Sequence, residues 1–351
     1  MTRLTLLLSL AAALPACGAT DPEAAPGDGD AGPGEVIVDY SAAGPHEVGT
    51  SSAMVTGSTG VELRVQVWYP SAEAGSETVV YDNLYAGGAF TDNTPDCRES
   101  RPVLLFSHGY GGIRWQSGFL VEHLASHGYV VIAPDHTHNT FLDNDDSLFE
   151  DVLFRRPADL ADSFDWAVAQ SEDPTTSLAG CVEASDGYAV SGHSFGGYTA
   201  FAAAGATLDD GAGGSVLLAD DRVWAAVPLA PWDAYVLQGG GTATVDVPVM
   251  CLSGTLDETT TWGSVTAMYD TLTTSPRYLG EFPTAGHYSF SPLACQTGSS
   301  GDGCGDEFVD LDVFAGVVNT AVVSFLEESR GVAGAIDQLP EHGSVRWKAV
   351  D

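Results

Sequence analysis

The sequence predicts an α/β fold, in which a mainly parallel sheet is wound by helices on both sides. Two observations predict it. Five short, nearly continuous apolar runs are typical of strands covered on both faces: PVLLFSHG, YVVIAPD, YAVSGH, VWAAVPLAP and VPVMCLSGT. Helical stretches such as QSGFLVEHLASHG and RPADLADSFDWAVAQ lie between them, and in the second Leu160, Phe164 and Val168 recur every four residues. Strands alternating with helices indicate a parallel sheet.

The segment before the first of these runs has a different pattern. In SSAMVTGSTGVELRVQVWYP, apolar positions alternate on both sides of a Ser-Thr-Gly turn. This alternation predicts an N-terminal antiparallel hairpin. The chain shows no internal repeat and no second domain.

The composition restricts the classes of partner. The 351 residues include 48 acidic and 12 basic side chains, a formal net charge of -36, and Lys348 is the only lysine. Such a surface repels nucleic acid and anionic membrane faces, and it indicates solubility or adaptation to salt. We therefore expect no nucleic-acid partner; we also expect a monomer.

The first residues have the pattern of a targeting signal. Arg3 precedes the apolar run LTLLLSLAAAL, which is too short to anchor in a bilayer and predicts a signal peptide over residues 1–17. The sequence LPAC that ends it resembles a bacterial lipoprotein processing site, with a lipid anchor at Cys17. Ordinary cleavage near Ala16 or Ala19 is the alternative. Either route predicts a secreted or cell-envelope protein whose only membrane attachment is that anchor.

The remaining boundaries follow from composition. Residues 18–35 are rich in Pro, Gly and acidic residues and predict a disordered tether. We expect one folded domain over residues 36–330 and a C-terminal tail over residues 331–351.

Export to an oxidising compartment favours disulfides. Cys295 and Cys304 flank the glycine-rich loop QTGSSGDG and are the first predicted bridge. Cys97 and Cys181 lie in polar connections and are candidates for a second bridge. Cys251 lies inside an apolar run, which predicts a buried free thiol.

The most informative motif is GHSFG, from Gly192 to Gly196. It lies at the end of the apolar run YAVSGH, a predicted strand, and precedes the Ala-rich stretch YTAFAAAGA. G-x-S-x-G in this context predicts a sharp strand-to-helix turn that exposes a serine, here Ser194, as a nucleophile. Glycine is needed on both sides because neighbouring chain comes too close for a Cβ atom.

A serine nucleophile needs a base, and an acid to orient that base. Behind this type of elbow, the acid and then the histidine follow the serine along the chain. Only His287 and His342 follow Ser194. His287 comes after the strand-like segment RYLGEF, whereas His342 lies in the polar tail, so His287 is the predicted base.

The predicted acid is Asp257, which follows the apolar run VPVMCLSGT closely and so emerges at the carboxyl end of a strand. Two other carboxylates stay open as alternatives. Glu258 is its neighbour, and Asp233 follows the preceding strand.

The mechanism also requires donors for an oxyanion. The backbone N–H of Phe195, next to the nucleophile, is the first predicted donor, and that of Tyr110, in the loop FSHGYGG, is the second. We expect His108 to shape that loop by hydrogen bonding. Trp115, Trp232 and Tyr288 lie in loops beside these residues and are predicted to contact substrate.

The roles of two further segments are less sharply predicted by the sequence. His136 and His138 stand two residues apart near several aspartates, but no third ligand has a recognised spacing, so we expect a supporting role and neither metal nor cofactor. Residues 143–156 form either a small lid or an acidic surface loop.

Several of these segments carry a family resemblance. VLLFSHGYGGIRWQSGFLVEHLASHGYVVIAPDHTHNT, RRPADL, GHSFGGYTA and AGHYSFSP resemble bacterial α/β-hydrolases related to platelet-activating-factor acetylhydrolase, also labelled predicted dienelactone hydrolases. Cutinase-type polyester hydrolases are similar at a greater distance. The resemblance covers roughly residues 44–326, and it implies the α/β-hydrolase fold and a serine carboxyl-ester hydrolase that needs no metal.

These inferences predict two-step acyl transfer by Ser194, His287 and Asp257 on short-chain or aromatic esters, with polyesters included. A platelet-activating-factor-like phospholipid is the alternative substrate. A catalytically silent binding protein on the same scaffold is the alternative of another class. A peptidase is disfavoured, because this length leaves no room for a cap or propeller domain.

Overall fold

The structure is a computed structural model that describes residues 38–298, 301–340 and 345–350. Within these residues, eleven strands form one sheet in the order β13-β12-β11-β10-β7-β5-β6-β2-β1-β4-β3, and β8 and β9 form a separate pair. The strands are β1 (Glu47–Thr56), β2 (Glu62–Ser71), β3 (Thr78–Tyr81), β4 (Tyr85–Thr91), β5 (Val103–Ser107), β6 (Val130–Pro134), β7 (Tyr188–His193), β8 (Thr207–Asp209), β9 (Ser215–Leu217), β10 (Val223–Leu229), β11 (Val249–Gly254), β12 (Arg277–Phe282) and β13 (Arg346–Val350).

Helices cover both faces of the large sheet. They are α1 (Gly118–Ser126), α2 (Phe149–Glu172), α3 (Phe195–Ala203), α4 (Val236–Gly239), α5 (Trp262–Thr271), α6 (Pro292–Gln296) and α7 (Leu311–Ser329). Helices α2, α3 and α5 contribute to one apolar core, and α1 and α7 contribute to a second. Strand β5 lies between them, since Val103 and Leu105 belong to the first core while Leu104 and Phe106 belong to the second.

The predicted fold class is confirmed. All five apolar runs form strands, β5, β6, β7, β10 and β11, and adjacent members pair in parallel. The predicted hairpin is the antiparallel pair β1 and β2, which continues into β6. The carboxyl ends of the parallel strands therefore meet at one edge of the sheet, where the loops predicted to carry the site begin.

The segment 143–156 differs from both alternatives considered for it. Asp146–Leu148 form a 3-10 turn, and Phe149–Arg156 are the first two turns of α2. The apolar pattern predicted a helix that begins at Arg156, next to Pro157, whereas the observed helix begins at Phe149. The side chain of Arg156 is fully buried. This segment is therefore part of a core helix for more than half of its length.

The C-terminal segment also differs from the predicted tail. Residues Arg346–Val350 form β13, which pairs antiparallel with β12 and extends the sheet. His342 lies outside the described residues, as do the predicted signal peptide, Cys17 and the tether at residues 18–35.

The described part of the chain contains two disulfides. Cys295 is bonded to Cys304, as predicted, and the candidate second bridge, between Cys97 and Cys181, is also present. Cys251 is free and buried, also as predicted. Across the described residues, no helix has the length and hydropathy that a membrane span requires.

Candidate active site

Ser194 lies at the turn between β7 and α3. Its backbone has φ 59° and ψ -115°, a conformation that non-glycine residues rarely adopt. Hydrogen bonds to the end of β10 hold it there, since the Ser194 N–H donates to the Leu229 carbonyl at 2.9 Å and the Ser194 carbonyl accepts the Trp232 N–H at 2.9 Å. The strained turn is thus fixed to the neighbouring strand.

The glycines on either side of Ser194 are required by close backbone contacts. A Cβ atom on Gly196 would lie 1.8 Å from the Ser107 carbonyl oxygen, and one on Gly192 would lie 2.4 Å from the Gly196 carbonyl oxygen. Both contacts are with backbone, which cannot move aside as a flexible side chain can. The turn therefore brings α3 against the end of β5.

Replacement of Gly196 by alanine is expected to lower the free energy of unfolding by at least about 3 kcal/mol, because the added methyl group displaces backbone in a packed core. Gly316, inside α7, is the matched control, since a Cβ atom there meets nothing within 4 Å. Gly316→Ala should raise stability by up to about 1 kcal/mol through helix propensity. Urea denaturation measures both variants. Equal, small effects of the two substitutions would contradict the close-packing argument.

His287 and Asp257 form a buried pair beside this turn. His287 Nδ1 donates to Asp257 Oδ2 at 2.9 Å. Asp257 follows β11 and His287 follows β12, so neighbouring parallel strands place them together. Asp257 Oδ1 also accepts the Thr259 and Thr260 N–H groups at 2.9 and 2.6 Å, and the Thr260 hydroxyl lies 2.9 Å from Oδ2. The carboxylate is therefore fixed by donors on both oxygens.

The two alternative carboxylates occupy other positions. Glu258 is exposed, and its N–H donates to Asp302. No described hydrogen bond joins Glu258 or Asp233 to His287, whose Nδ1 contacts Asp257 and Thr260. The structure thus brings Asp257, of the three predicted candidates, to the imidazole.

A side-chain bridge that the sequence did not reveal connects this pair to the serine turn. Gln116 Oε1 accepts the Gly109 N–H at 3.1 Å, which leaves its amide group to donate to His193 Nδ1, also at 3.1 Å. His193 Nε2 then donates to the His287 carbonyl at 3.1 Å. Burial, together with the His287 ring, lowers the pKa of His193 well below its usual value, so the ring is neutral and able to accept at Nδ1.

The two predicted oxyanion donors both lie next to Ser194. The N–H groups of Phe195 and Tyr110 donate to no other described residue. A Cβ atom on Gly109, which precedes Tyr110, would lie 3.5 Å from Ser194 Cβ. His108 holds this loop, because its Nδ1–H donates to the Gly109 carbonyl at 2.7 Å while its Nε2 accepts the His136 N–H at 3.0 Å. Hydrogen bonding to that carbonyl polarises the peptide that carries the Tyr110 N–H.

A buried guanidinium lies beneath the loop and the serine turn. Arg156 donates to the His108 carbonyl, to Ser107 Oγ at 3.0 Å and to Asn139 Oδ1 at 2.7 Å. It also stacks over the Phe195 ring, with its central carbon 4.4 Å from the ring centroid. Burial lowers the pKa of Arg156 to about 9, and Asp159 opposes that shift. The guanidinium thus contacts both the loop that carries the Tyr110 N–H and the turn that carries the Phe195 N–H.

His136 and His138 have different surroundings. His136 is buried, with Nδ1 2.8 Å from Asp159 Oδ2 and Nε2 2.9 Å from Ser107 Oγ. Burial, then Arg156, lowers its pKa well below the usual value. His138 is exposed. In the described parts of the chain, no cluster of three or more His, Cys, Asp or Glu has an arrangement that would hold a metal ion.

Two cavities open on Ser194. The main cavity, of about 630 Å³, is lined by Ser194 and His287 together with Trp115, Phe141 and Tyr288. The second cavity, of about 560 Å³, is lined by Ser194 and Phe195 with Trp232 and Phe149. Tyr110 and Thr259 line both. All three predicted substrate contacts, Trp115, Trp232 and Tyr288, thus border a cavity that contains the serine.

Trp115 is the most firmly held of the three. Its Nε1–H donates to Asp82 at 2.9 Å, and its ring stacks on Tyr85 with centroids 6.0 Å apart and planes 4° apart. Its side chain is 1% exposed. Trp115 therefore forms a fixed aromatic wall of the main cavity.

Most of the chain has a solved structural counterpart. The ferulic acid esterase from Streptomyces cinnamoneus superposes with a TM-score of 0.65 over 86% of this chain and 96% of that chain, at 21% sequence identity. The chain has the α/β-hydrolase fold. This likeness concerns the fold, which positions a serine turn and a following Asp and His at the carboxyl edge of the sheet.

Sequence comparisons add more local similarity. The family model described as chlorophyllase matches residues 90–262. Cutinase est1 of Thermobifida alba is 32% identical over 157 residues, 44% of this chain and 42% of that protein. Cutinase 2 of Thermobifida cellulosilytica is 31% identical over 157 residues, 44% of this chain and 47% of that protein. The chain thus spans less than half the length of these curated relatives.

These matches support the ester-hydrolase part of the resemblance noted in the sequence, and the predicted similarity to cutinases is found. The relation to platelet-activating-factor acetylhydrolases or dienelactone hydrolases stays a prediction.

Proposed function

We propose that the protein is a serine hydrolase of carboxylic esters. One observation carries the proposal: Ser194, in a strained turn, and His287, paired with the buried Asp257, line the same cavity. Similarity to cutinases over 44% of the chain supports the same class of reaction.

In the proposed first step, Ser194 Oγ attacks the ester carbonyl carbon while His287 Nε2 takes the hydroxyl proton. The carbonyl oxygen becomes an oxyanion, which the N–H groups of Phe195 and Tyr110 stabilise. Asp257 keeps the proton of His287 on Nδ1 and stabilises the imidazolium. Collapse of the intermediate expels the alcohol, which receives the proton from Nε2, and leaves an acyl ester on Ser194.

In the second step, water attacks the acyl-enzyme. His287 accepts a proton from the water, and the same two backbone donors stabilise the second oxyanion. Ser194 leaves with the proton from His287, and the carboxylic acid is released. If the protein were instead a catalytically silent binding protein, the alternative function introduced above, none of these steps would take place.

We propose an apolar substrate of short-chain, aromatic or polyester type. The main cavity has aromatic walls, and its rim exposes large apolar side chains: Leu84, Tyr110 and Phe141 are 62%, 46% and 47% exposed. Such a rim favours contact with apolar acyl or polymer segments. The net charge of -36 disfavours anionic substrates and anionic lipid surfaces.

We propose that the protein acts outside the cytoplasm. The disulfides Cys97–Cys181 and Cys295–Cys304 require an oxidising compartment to persist. The signal peptide predicted for residues 1–17 provides the route.

A substrate panel tests this proposal. We expect hydrolysis of p-nitrophenyl esters with acyl chains of two to twelve carbons, and of an aromatic ester and an aromatic polyester film. The matching p-nitroanilide should not be hydrolysed. A short-chain phospholipid ester is included, because preference for it would favour the alternative substrate class.

Phe141 and Leu142 provide a matched pair for the same panel. Both are exposed, at 47% and 63%, but Phe141 lines the main cavity and Leu142 does not. Phe141→Ala should lower kcat/KM by about tenfold for long or aromatic acyl groups and little for acetate, since loss of one buried apolar contact is worth about 1–3 kcal/mol. Leu142→Ala should leave kcat/KM unchanged for both kinds of ester. No turnover of any ester by the wild-type protein would refute the proposed function.

A further inference from the structure

We infer that Asp302 is a positioning residue that joins the loop of the base to the loop of the acid, a role that rests on the proposed function. Asp302 Oδ1 accepts the His287 N–H at 2.9 Å and the Glu258 N–H at 3.0 Å. Its Oδ2 accepts the Thr259 hydroxyl. One carboxylate therefore contacts the residue predicted to act as base and the two residues that follow Asp257.

The backbone of Asp302 reinforces this connection. Its carbonyl accepts the Tyr288 N–H at 2.7 Å, so the carboxylate and the carbonyl bind successive N–H groups of the base loop. The pKa of Asp302 lies below its usual value. Burial alone would raise it, but the hydrogen bonds from Thr259, His287 and Glu258 favour the charged form more strongly.

A tight turn presents the Asp302 side chain. Gly301 and Cys304 exchange backbone hydrogen bonds of 3.2 and 3.1 Å, and the two central residues, Asp302 and Gly303, have φ of 44° and 113°. Asp-Gly is the pair that tolerates positive φ at both central positions of such a turn. Cys304 at its end is bonded to Cys295, which anchors the turn to α6.

The turn lies directly against the base loop. A Cβ atom on Gly303 would lie 2.6 Å from the Ser289 nitrogen, and one on Gly286 would lie 2.4 Å from the Gly303 nitrogen. No room exists for these segments to shift toward each other. The disulfide and the Asp302 hydrogen bonds oppose movement in the other direction.

The consequence concerns the hydrogen bond between His287 and Asp257. These residues lie on loops after separate strands, so their separation depends on how the loops are held together. Without Asp302, the His287 and Glu258 N–H groups lose their acceptor and the loops can part. Displacement of a catalytic group by about 1 Å costs about 10²-fold in rate. Trp115 and Phe141 lie outside these two loops and keep their places in the main cavity, so the loss should fall mainly on kcat.

The test compares Asp302→Ala with Asp302→Asn. The alanine variant should lose about 10- to 100-fold in kcat with KM changed less than about twofold. The asparagine variant should keep most of the activity, because its amide oxygen still accepts both N–H groups. Asp306→Asn, a neighbouring exposed carboxylate, is the control and should equal wild type. Wild-type kcat in Asp302→Ala would overturn the inference.

The disulfides give a second comparison. Cys295→Ser with Cys304→Ser should lower kcat in the same manner as Asp302→Ala. Cys97→Ser with Cys181→Ser should lower the melting temperature without that loss of kcat. Equal kcat in the two double variants would count against the role of the turn.

A spectroscopic measurement separates this inference from the proposed function. The proton on His287 Nδ1, bonded to Asp257, is expected to give a low-field ¹H resonance that is absent from Asp257→Ala. Asp302→Ala should shift or broaden it, and Asp302→Asn should preserve it. This readout needs no substrate, so an inactive wild-type protein would refute the function alone. An unchanged resonance in Asp302→Ala would refute the positioning role.

Discussion

Ser194→Ala is expected to reduce kcat/KM for a p-nitrophenyl ester by at least about 10³-fold. Removal of the hydroxyl leaves no atom to form the acyl-enzyme, while both candidate oxyanion donors and the two cavities remain. The residual rate should reflect those donors and substrate binding alone. Initial rates for the two proteins, measured at low and high salt because of the charge of -36, check this.

Ser185→Ala is the control for that substitution. Ser185 is exposed in a 3-10 turn before β7, at the opposite end of that strand from Ser194. Its kinetics should match wild type, and both variants should unfold at the wild-type temperature. Equal turnover by Ser194→Ala and wild type would mean that Ser194 is not the nucleophile, and the binding-protein alternative would then lead.

Asp257→Asn is expected to lower kcat by about 10⁴-fold, as the loss of the orienting acid does in well-studied serine proteases. The Thr259 and Thr260 N–H groups hold Oδ1, so the new amide group takes the position of Oδ2. It then donates to His287 Nδ1, and the ring must carry its proton on Nε2. In that tautomer His287 cannot accept the proton of Ser194.

The two alternative carboxylates are the matched controls. Glu258→Gln and Asp233→Asn should retain wild-type kcat, because neither side chain is bonded to His287 in the described structure. Steady-state kinetics for the three variants, with circular dichroism to verify folding, provide the comparison. A larger loss in either control than in Asp257→Asn would reassign the acid.

The fold, and the placement of Ser194, Asp257 and His287 at one edge of the sheet, were predictable because local patterns specify them. An apolar run ends directly before GHSFG, and another ends shortly before Asp257, so each chemical group lies at the end of a strand. Parallel strands then bring their carboxyl ends together whatever the loops contain. Few histidines follow Ser194, which limited the choice of base to two residues.

The supporting residues were not predictable, because nothing local marks them. Gln116, Arg156 and Asp302 act through partners distant in sequence: Gln116 lies 77 residues from His193, Arg156 lies 48 from His108, and Asp302 lies 15 from His287. Arg156 lies in a stretch that contains both acidic and basic residues, a composition typical of protein surface. Asp302 looks like an ordinary Asp-Gly turn until the structure places it between two loops.

The measurement that tests the central claim most directly is covalent labelling with a fluorophosphonate, followed by peptide mass spectrometry. Such a probe reacts with a serine activated by a neighbouring base and leaves ordinary serines unmodified. We predict one label on the folded protein, mapped to the peptide that contains Ser194, and its loss in Ser194→Ala and His287→Ala. Labelling at another serine, or no labelling of the folded wild-type protein, would contradict the account.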